Sequence, residues 1–488
     1  MTRSSKAGLM LAAAAFLMPV AAYLGEWICG FCASDASIFR YIGKCVAGGG
    51  VLYQCAWDNK GPLLLLPNAL GWMIGGVHGP GFVFLCFGLV STAGVWAISR
   101  RYCGSLSAAC AMFLYSTVLV GNGAAKQLNS QEWAAVFFIV LGVWALLRLR
   151  SAFGSFLLGI AVGCVFLVKP NLVSFGGAAL VLWSVLFARG ELTARAFAGR
   201  LAGSFAGFVL TLAGVSGWFA AQGAFFDLWD ATLLFGLFEY CKVDQSWLSW
   251  WTGYLLDPPR YLWIILHAAG LVVLAFCGVR ALARRGKDPL ALFFATWVTI
   301  DLVMTFGFKT FYEHYLVVLY PACCILTGIL LDDLCVRGKR ISSGAIAVFC
   351  LVSFAVFAAY DCVGFRFARQ QDRRLSALCA RLSKILPKGA QVALEGGHGT
   401  SELACRLDVR CPQRHFNAQM NHHFAGERRR AEIIRELRAT IDDSCTTHLL
   451  VEDREGFAAW TGFADVMHRP YVEMDGLTVV TLKRDMVK

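Results

Sequence analysis

Charge is what this chain has little of. Asp, Glu, Lys and Arg together make up 16% of its 488 residues, and long stretches contain none at all. That scarcity excludes an ordinary soluble surface, which needs charge interspersed throughout. Other signals are missing too. There is no internal repeat, no low-complexity segment, no glycine-rich phosphate loop of known spacing and no pair of CxxC motifs that could hold zinc. Cys29 and Cys32 form a lone CxxC at the end of the first apolar segment, without the βαβ surroundings of a thioredoxin-like redox site.

Apolar residues are there instead. They form 58% of the chain, and the mean hydropathy is +0.60. Long apolar runs lie near residues 7–24, 62–77, 80–99, 103–121, 131–147, 153–168, 171–188, 201–220, 260–279, 289–306, 315–331 and 341–360. A lipid bilayer leaves no water for the backbone, so such runs predict a polytopic α-helical membrane protein. Aromatics make up 13%, with Trp and Tyr often at segment ends, as at a membrane interface. The basic Met1–Lys6 followed by apolar residues also fits a signal peptide. The nearby charged loop favours an uncleaved first helix.

The net charge of +12 sits largely in short loops, where it sets orientation and implies no nucleic acid. The run 62–77 contains Pro62, Pro67 and Asn68 and makes a poor spanning helix. If it lies on the outer surface, the basic loops at Arg3 and Lys6, Arg100 and Arg101, Arg148 and Arg150, Arg189 to Arg200, Arg280 to Lys287, and Arg337 to Arg340 all fall inside. The positive-inside rule then gives about eleven crossings, with the N-terminus inside and the C-terminus outside. The loop 221–259, rich in Trp and Phe, is expected to lie in the outer interface as an amphipathic cover.

Two domains are expected: a membrane domain over 1–361 and a soluble extracytoplasmic α/β domain over 362–488. In the latter, GAQVALEGG and THLLVED read as buried strands, GERRRAEIIRELRATI as an amphipathic helix and YVEMDGLTVVTLKR as a hairpin. The glycine-rich EGGHGT reads as a plain turn.

Candidate chemistry gathers on the outer side. The stretch from Ser34 to Pro62 holds Asp35, Arg40, Lys44, Asp58 and Lys60. A carboxylate there, Asp35, can act as a general base on a hydroxyl, although Ser34–Asp35 would also make a normal helix cap. Lys60, projecting from the WDNKGP turn, can meet an anion or can snorkel at the interface. Arg40 and Lys44 share a helix face and could meet a phosphodiester. Glu132 opens a crossing and Lys169 lies between two. His314 and Tyr315 lie in the short polar segment KTFYEHYLVVLYP.

These motifs resemble the GT-C superfamily of integral membrane glycosyltransferases, especially the branch with protein O-mannosyltransferases and the lipid A aminoarabinose transferase. Asp35 matches an acid in the first external loop, Lys60-Gly61-Pro62 a Lys-Pro-like turn before a juxtamembrane helix, Glu132 a later acid, and HYLVVLYP a late "HY…P" segment. Where many members have Asp-Glu, Ala36 follows Asp35, and Ile38 stands where some relatives place a base. The resemblance implies inverting transfer of a sugar, a hexose or a pentose, from a polyprenyl-phosphate-linked donor to a glycan, lipid or protein acceptor of the cell envelope, outside the plasma membrane. Asp35 would be the base. Lys60, Arg40, Lys169 and His314 would hold the donor phosphate. Glu132, Asp58 and Tyr315 would bind substrate or supply a second acid. The resemblance fixes no cofactor; some relatives place a divalent cation between two acids, which here would be Asp35 and Glu132. The competing reading is a transporter or flippase of lipid-linked sugars without transfer chemistry. A structural assembly factor would leave the charged first loop unexplained.

Overall fold

The computed structural model describes residues 3–30, 34–121, 128, 130–149, 151–239, 258–306, 313–337, 342–407, 409–417 and 426–482. Every apolar run expected from the sequence is helical there. The helices span Arg3–Cys29, Pro62–Gly75, Gly79–Ser99, Ser105–Gly121, Gln131–Leu149, Ala152–Phe166, Ser174–Ala188, Ala194–Ala221, Pro258–Arg284, Asp288–Phe306, Tyr320–Asp332 and Ser343–Leu382. Among the described residues, seven helical stretches are long and apolar enough to cross a membrane, and three shorter apolar helices accompany them. The run 62–77 forms its own helix. It ends at Gly76, whose φ of +57° breaks the chain before the helix Gly79–Ser99 begins.

The chain divides into two compact units. The first comprises Met1–Gly25, Phe84–Ser216 and Asp244–Gly364. Its helices pack in pairs: Pro258–Arg284 and Ser105–Gly121 both lie on Tyr320–Asp332, Gln131–Leu149 on Ala152–Phe166, and Ser174–Ala188 on Asp288–Phe306. Small residues set the closest approach. A Cβ at Gly207 would fall 2.1 Å from the carbonyl oxygen of Phe156, and one at Gly159 would fall 1.9 Å from that of Ser204. In lipid, where apolar side chains gain little by leaving the solvent, such backbone proximity is how helices associate.

The second unit comprises Glu26–Val83, Gly217–Val243 and Phe365–Lys488. Its centre is a sheet of five strands, β1 (Ala390–Glu395), β2 (Val409–Arg410), β3 (Thr446–Val451), β4 (Tyr471–Met474) and β5 (Leu477–Thr481), in the order β2-β1-β3-β5-β4. β1 runs parallel to both β2 and β3, while β5 is antiparallel to β3 and β4. Asp475 and Gly476 close the β4–β5 hairpin with φ of 52° and 83°, the double left-handed geometry that fits the twist of a tight hairpin. The helix Glu427–Asp442 buries Ile433, Leu437 and Ile441, spaced one turn apart. Leu437 and Ile441 join Leu449, Val451, Phe457 and Val480 in one core. The strands, the amphipathic helix and the hairpin therefore lie where the sequence pattern put them.

Of the segment 221–259, residues 240–257 lie outside the described residues. The part before them forms short helical turns from Phe225 to Phe238. Phe226 and Phe238 are exposed there. Its acids turn the other way: Asp230 pairs with Arg429 at 2.6 Å and Asp227 with Arg414 at 3.2 Å.

Candidate active site

The chain leaves β1 for β2 through the helix His398–Arg406, and reaches β3 on the other side through Glu427–Asp442. The carboxyl ends of β1 and β3 thus mark the point where strand order reverses, the usual position of a binding crevice in such sheets. Two glycines, Gly396 and Gly397, connect β1 to this helix. Their niche is filled from within. The Glu452 carboxylate accepts the N–H of Gly397 at 3.0 Å and that of Thr400 at 2.7 Å, capping the helix with a negative charge.

Against the helix His398–Arg406 lies the helix Asp35–Ala47 of the first loop. Ser34 is its N-cap, and its N–H donates to Ser37 Oγ at 3.0 Å. The helix buries Ile38, Tyr41 and Ile42. It also sits close on the helix Pro62–Gly75, where a Cβ at Gly43 would meet the Asn68 backbone at 2.7 Å. Asp35 is the first helical residue, so its carboxylate faces the positive end of the helix dipole.

His398 Nε2 and Asp35 Oδ1 are 2.8 Å apart, with side-chain exposures of 34% and 45%. An ionised carboxylate only accepts, so the imidazole donates. Burial works against the charged imidazole, but the hydrogen bond and charge of Asp35, with Glu452 and Asp58 behind it, outweigh burial and raise the His398 pKa.

The basic residues of this loop take different positions. Arg40 is buried, 2.7 Å from Glu402 and 3.7 Å from Glu26. Glu402 also holds Arg406 at 2.8 Å, which reaches Asp372 at 2.7 Å. Lys44 Nζ donates to the carbonyls of Ala404 and Leu407 at 2.7 and 2.9 Å, satisfying orphan acceptors at the end of that helix. Lys60 keeps its amine partly exposed. It donates to Asn59 Oδ1 at 2.6 Å and lies 3.8 Å from Asp58 Oδ1. The turn that carries it is fixed by Tyr53, whose hydroxyl donates to the Lys60 carbonyl at 2.7 Å, and by Pro62 at the start of the next helix. Burial raises the pKa of Asp58; Lys60 opposes the shift and Asp35 adds to it. Lys60, Asp35 and His398 each lie within electrostatic reach of Asp58.

Three other candidates meet in the first unit. Lys169 Nζ lies 3.8 Å from Glu132 Oε1 and 3.7 Å from the centroid of the Tyr315 ring, so one ammonium joins a buried acid and an aromatic face. The side chain of His314 lies outside the described residues. Asp35 and Glu132 belong to different units. Among the described residues, no cluster of three or more His, Cys, Asp or Glu side chains could hold a metal ion.

Sequence reasoning missed His398, which it passed over as part of a plain turn. The available signal was a glycine pair between a strand and a helix, a place where side chains gather over the end of a sheet.

No family model matches the sequence, and no curated protein sequence is similar to it. Solved structures are. The crystal structure of ArnT from Cupriavidus metallidurans in the apo state superposes with a TM-score of 0.62 at 15% identity, over 96% of this chain and 97% of that one. The structure of the same protein bound to undecaprenyl phosphate gives 0.63 at 14% identity, over 98% of each chain. At this identity the likeness is one of fold. It extends along nearly the whole chain, and a polytopic helical architecture with a C-terminal α/β part, as the composition and the sequence patterns led one to expect, is the one observed.

Proposed function

We propose that this protein is a membrane glycosyltransferase that moves a sugar, inverting its anomeric carbon, from a polyprenyl-phosphate-linked donor to an acceptor of the cell envelope. The observation that carries the proposal is the pose of Asp35: a half-exposed carboxylate on the first turn of a loop helix, within electrostatic reach of Asp58, which in turn lies 3.8 Å from the partly exposed Lys60. The fold supports it, since a protein sharing that fold was crystallised with undecaprenyl phosphate.

In this reading Asp35 takes the proton of the acceptor hydroxyl. The freed oxygen attacks the anomeric carbon and forms the new glycosidic bond. The bond from that carbon to the phosphate oxygen breaks, and the lipid phosphate leaves with the electron pair. That phosphate is already ionised, so it needs no strong acid. Lys60 stabilises its growing charge. Lys169, beside Glu132 and Tyr315, is a second cation available to the donor. Arg40 is committed to Glu26 and Glu402 and supports the loop from beneath.

The membrane domain over 1–361 carries the reaction, and the extracytoplasmic domain over 362–488 helps bind the acceptor. The N-terminus faces the cytoplasm, and the chemistry occurs on the outer side of the plasma membrane. The test uses the full chain in lipid nanodiscs. It is given a panel of undecaprenyl-phosphate-linked pentoses and hexoses with a membrane glycolipid extract as acceptor. Release of undecaprenyl phosphate together with labelled acceptor is expected for at least one donor. Binding of donors, or their movement across liposomes, without any release would replace this reading with a transporter.

A further inference from the structure

Two helices far apart in sequence are fastened side by side: Asp35–Ala47 of the first loop and His398–Arg406 of the α/β part. Four polar contacts secure them away from the His398 ring. Ser37 Oγ donates to the His398 carbonyl at 3.1 Å, Arg40 pairs with Glu402 at 2.7 Å, and Lys44 donates to two carbonyls at the far end. Arg40 and Glu402 are sealed from solvent, with side-chain exposures of 3% and 0%. The contact between His398 and Asp35 differs, because both partners stay open to solvent. Holding the helices together does not require it. It bears instead on the direction of the Asp35 carboxylate.

We propose that His398 is the positioning residue for Asp35: by donating from Nε2 to Oδ1, it holds the carboxylate in the orientation from which it takes the proton of the acceptor hydroxyl. The inference rests on the reading of Asp35 as the general base. His398 itself takes no proton from the substrate. A carboxylate on an open surface rotates about its Cβ–Cγ bond, and a base that is misdirected much of the time loses rate. His398 is held in its turn. Its helix is capped by Glu452, and its own carbonyl is tied to Ser37, so the ring stands on a backbone fixed at both sides.

The experiment compares His398→Ala, His398→Gln and the wild type in nanodiscs, with the undecaprenyl-phosphate-linked sugar that the wild type uses. Melting temperature confirms that each variant is folded. His398→Ala is expected to lower kcat by roughly 10- to 100-fold, with KM for the donor changed less than about threefold. His398→Gln places an amide N–H at nearly the reach of Nε2 and is expected to recover most of the loss. In an Asp35→Asn background, His398→Ala is expected to cost nothing further, because a residue acting through Asp35 has no separate effect. If His398→Gln is as poor as His398→Ala, or if the losses from Asp35→Asn and His398→Ala multiply, the positioning role is overturned while the glycosyltransferase reading stands. Should His398→Ala fail to fold, His398→Gln and its double variant with Asp35→Asn still decide: a tenfold or greater loss in His398→Gln alone refutes the role. No release by the wild type with any donor overturns the function and this inference together.

Discussion

Arg40 Nη2 and Glu402 Oε2 lie 2.7 Å apart, both virtually removed from solvent, although 362 residues separate them in the chain. A buried pair of this kind stabilises little compared with an apolar pair, but leaving one partner alone is costly. Arg40→Ala strands Glu402 between Arg406 and an empty space. The expected loss is roughly 3–5 kcal/mol of stability, seen as a lower melting temperature of the detergent-purified protein. Undecaprenyl phosphate affinity of the fraction that remains folded should change less than about threefold, since the guanidinium faces protein on both sides.

Asp35→Asn keeps the shape of the side chain and can still accept from His398. In the proposed mechanism it removes the base. Turnover should fall by roughly two to four orders of magnitude, while binding of undecaprenyl phosphate stays close to that of the wild type. Single-turnover transfer and equilibrium binding on the same preparation check both halves.

In the proposed reaction Lys60→Ala acts on the other substrate. Its ammonium would face the phosphate in the ground state and in the transition state, so donor affinity and rate should both decline. An affinity loss of about tenfold or more for undecaprenyl phosphate, measured by titration, separates it from Asp35→Asn. Unchanged affinity would remove Lys60 from the donor site.

Glu395, at the carboxyl end of β1, is almost fully buried, and burial pushes its pKa from 4.5 to about 8. The folded form therefore holds the proton that the unfolded chain has already lost near neutrality. Its contribution to stability is present in full below about 4.5 and disappears as pH rises towards about 8. Glu395→Gln keeps the shape and has no proton to lose. The variant should melt higher than the wild type at pH 8 and nearly the same at pH 4.5, in paired thermal melts.

Gly207→Leu tests the contact between membrane helices. The new side chain would start 2.1 Å from the Phe156 carbonyl, so the helix Ala194–Ala221 must move away from Ala152–Phe166. Overpacking of this kind typically costs about 1–3 kcal/mol. It should appear as a loss of detergent-resistant folded protein, with Gly217→Leu, beside open space, as the tolerated control.

Much of this architecture was legible in the sequence, because lipid imposes a simple rule. A run such as 131–147 has no other way to satisfy its backbone than to become the helix Gln131–Leu149. The strands of the α/β part were legible for a related reason: THLLV buries every side chain and carries turn signals on both sides. What could not be read was partnership across long separations. Arg40 looked like a free cation because Glu402 lies in another part of the chain. His398 looked like a turn residue because nothing local signals Asp35, 363 positions away. Charge and periodicity are local properties, whereas the meeting of distant residues is a product of closure, which neither of them encodes.

The carboxylate of Glu452 on the N–H groups of Gly397 and Thr400 has a consequence for how the site is prepared. In many α/β folds the same cradle stays open until a phosphate arrives and orders the loop. Here an internal anion already occupies it. The N–H groups of Gly397 and Thr400 have their anion without any ligand. In the proposed reaction the lipid phosphate would fall to side-chain cations, while the backbone at the end of β1 serves as a fixed mount. The histidine on that mount is set before any substrate reaches the membrane surface.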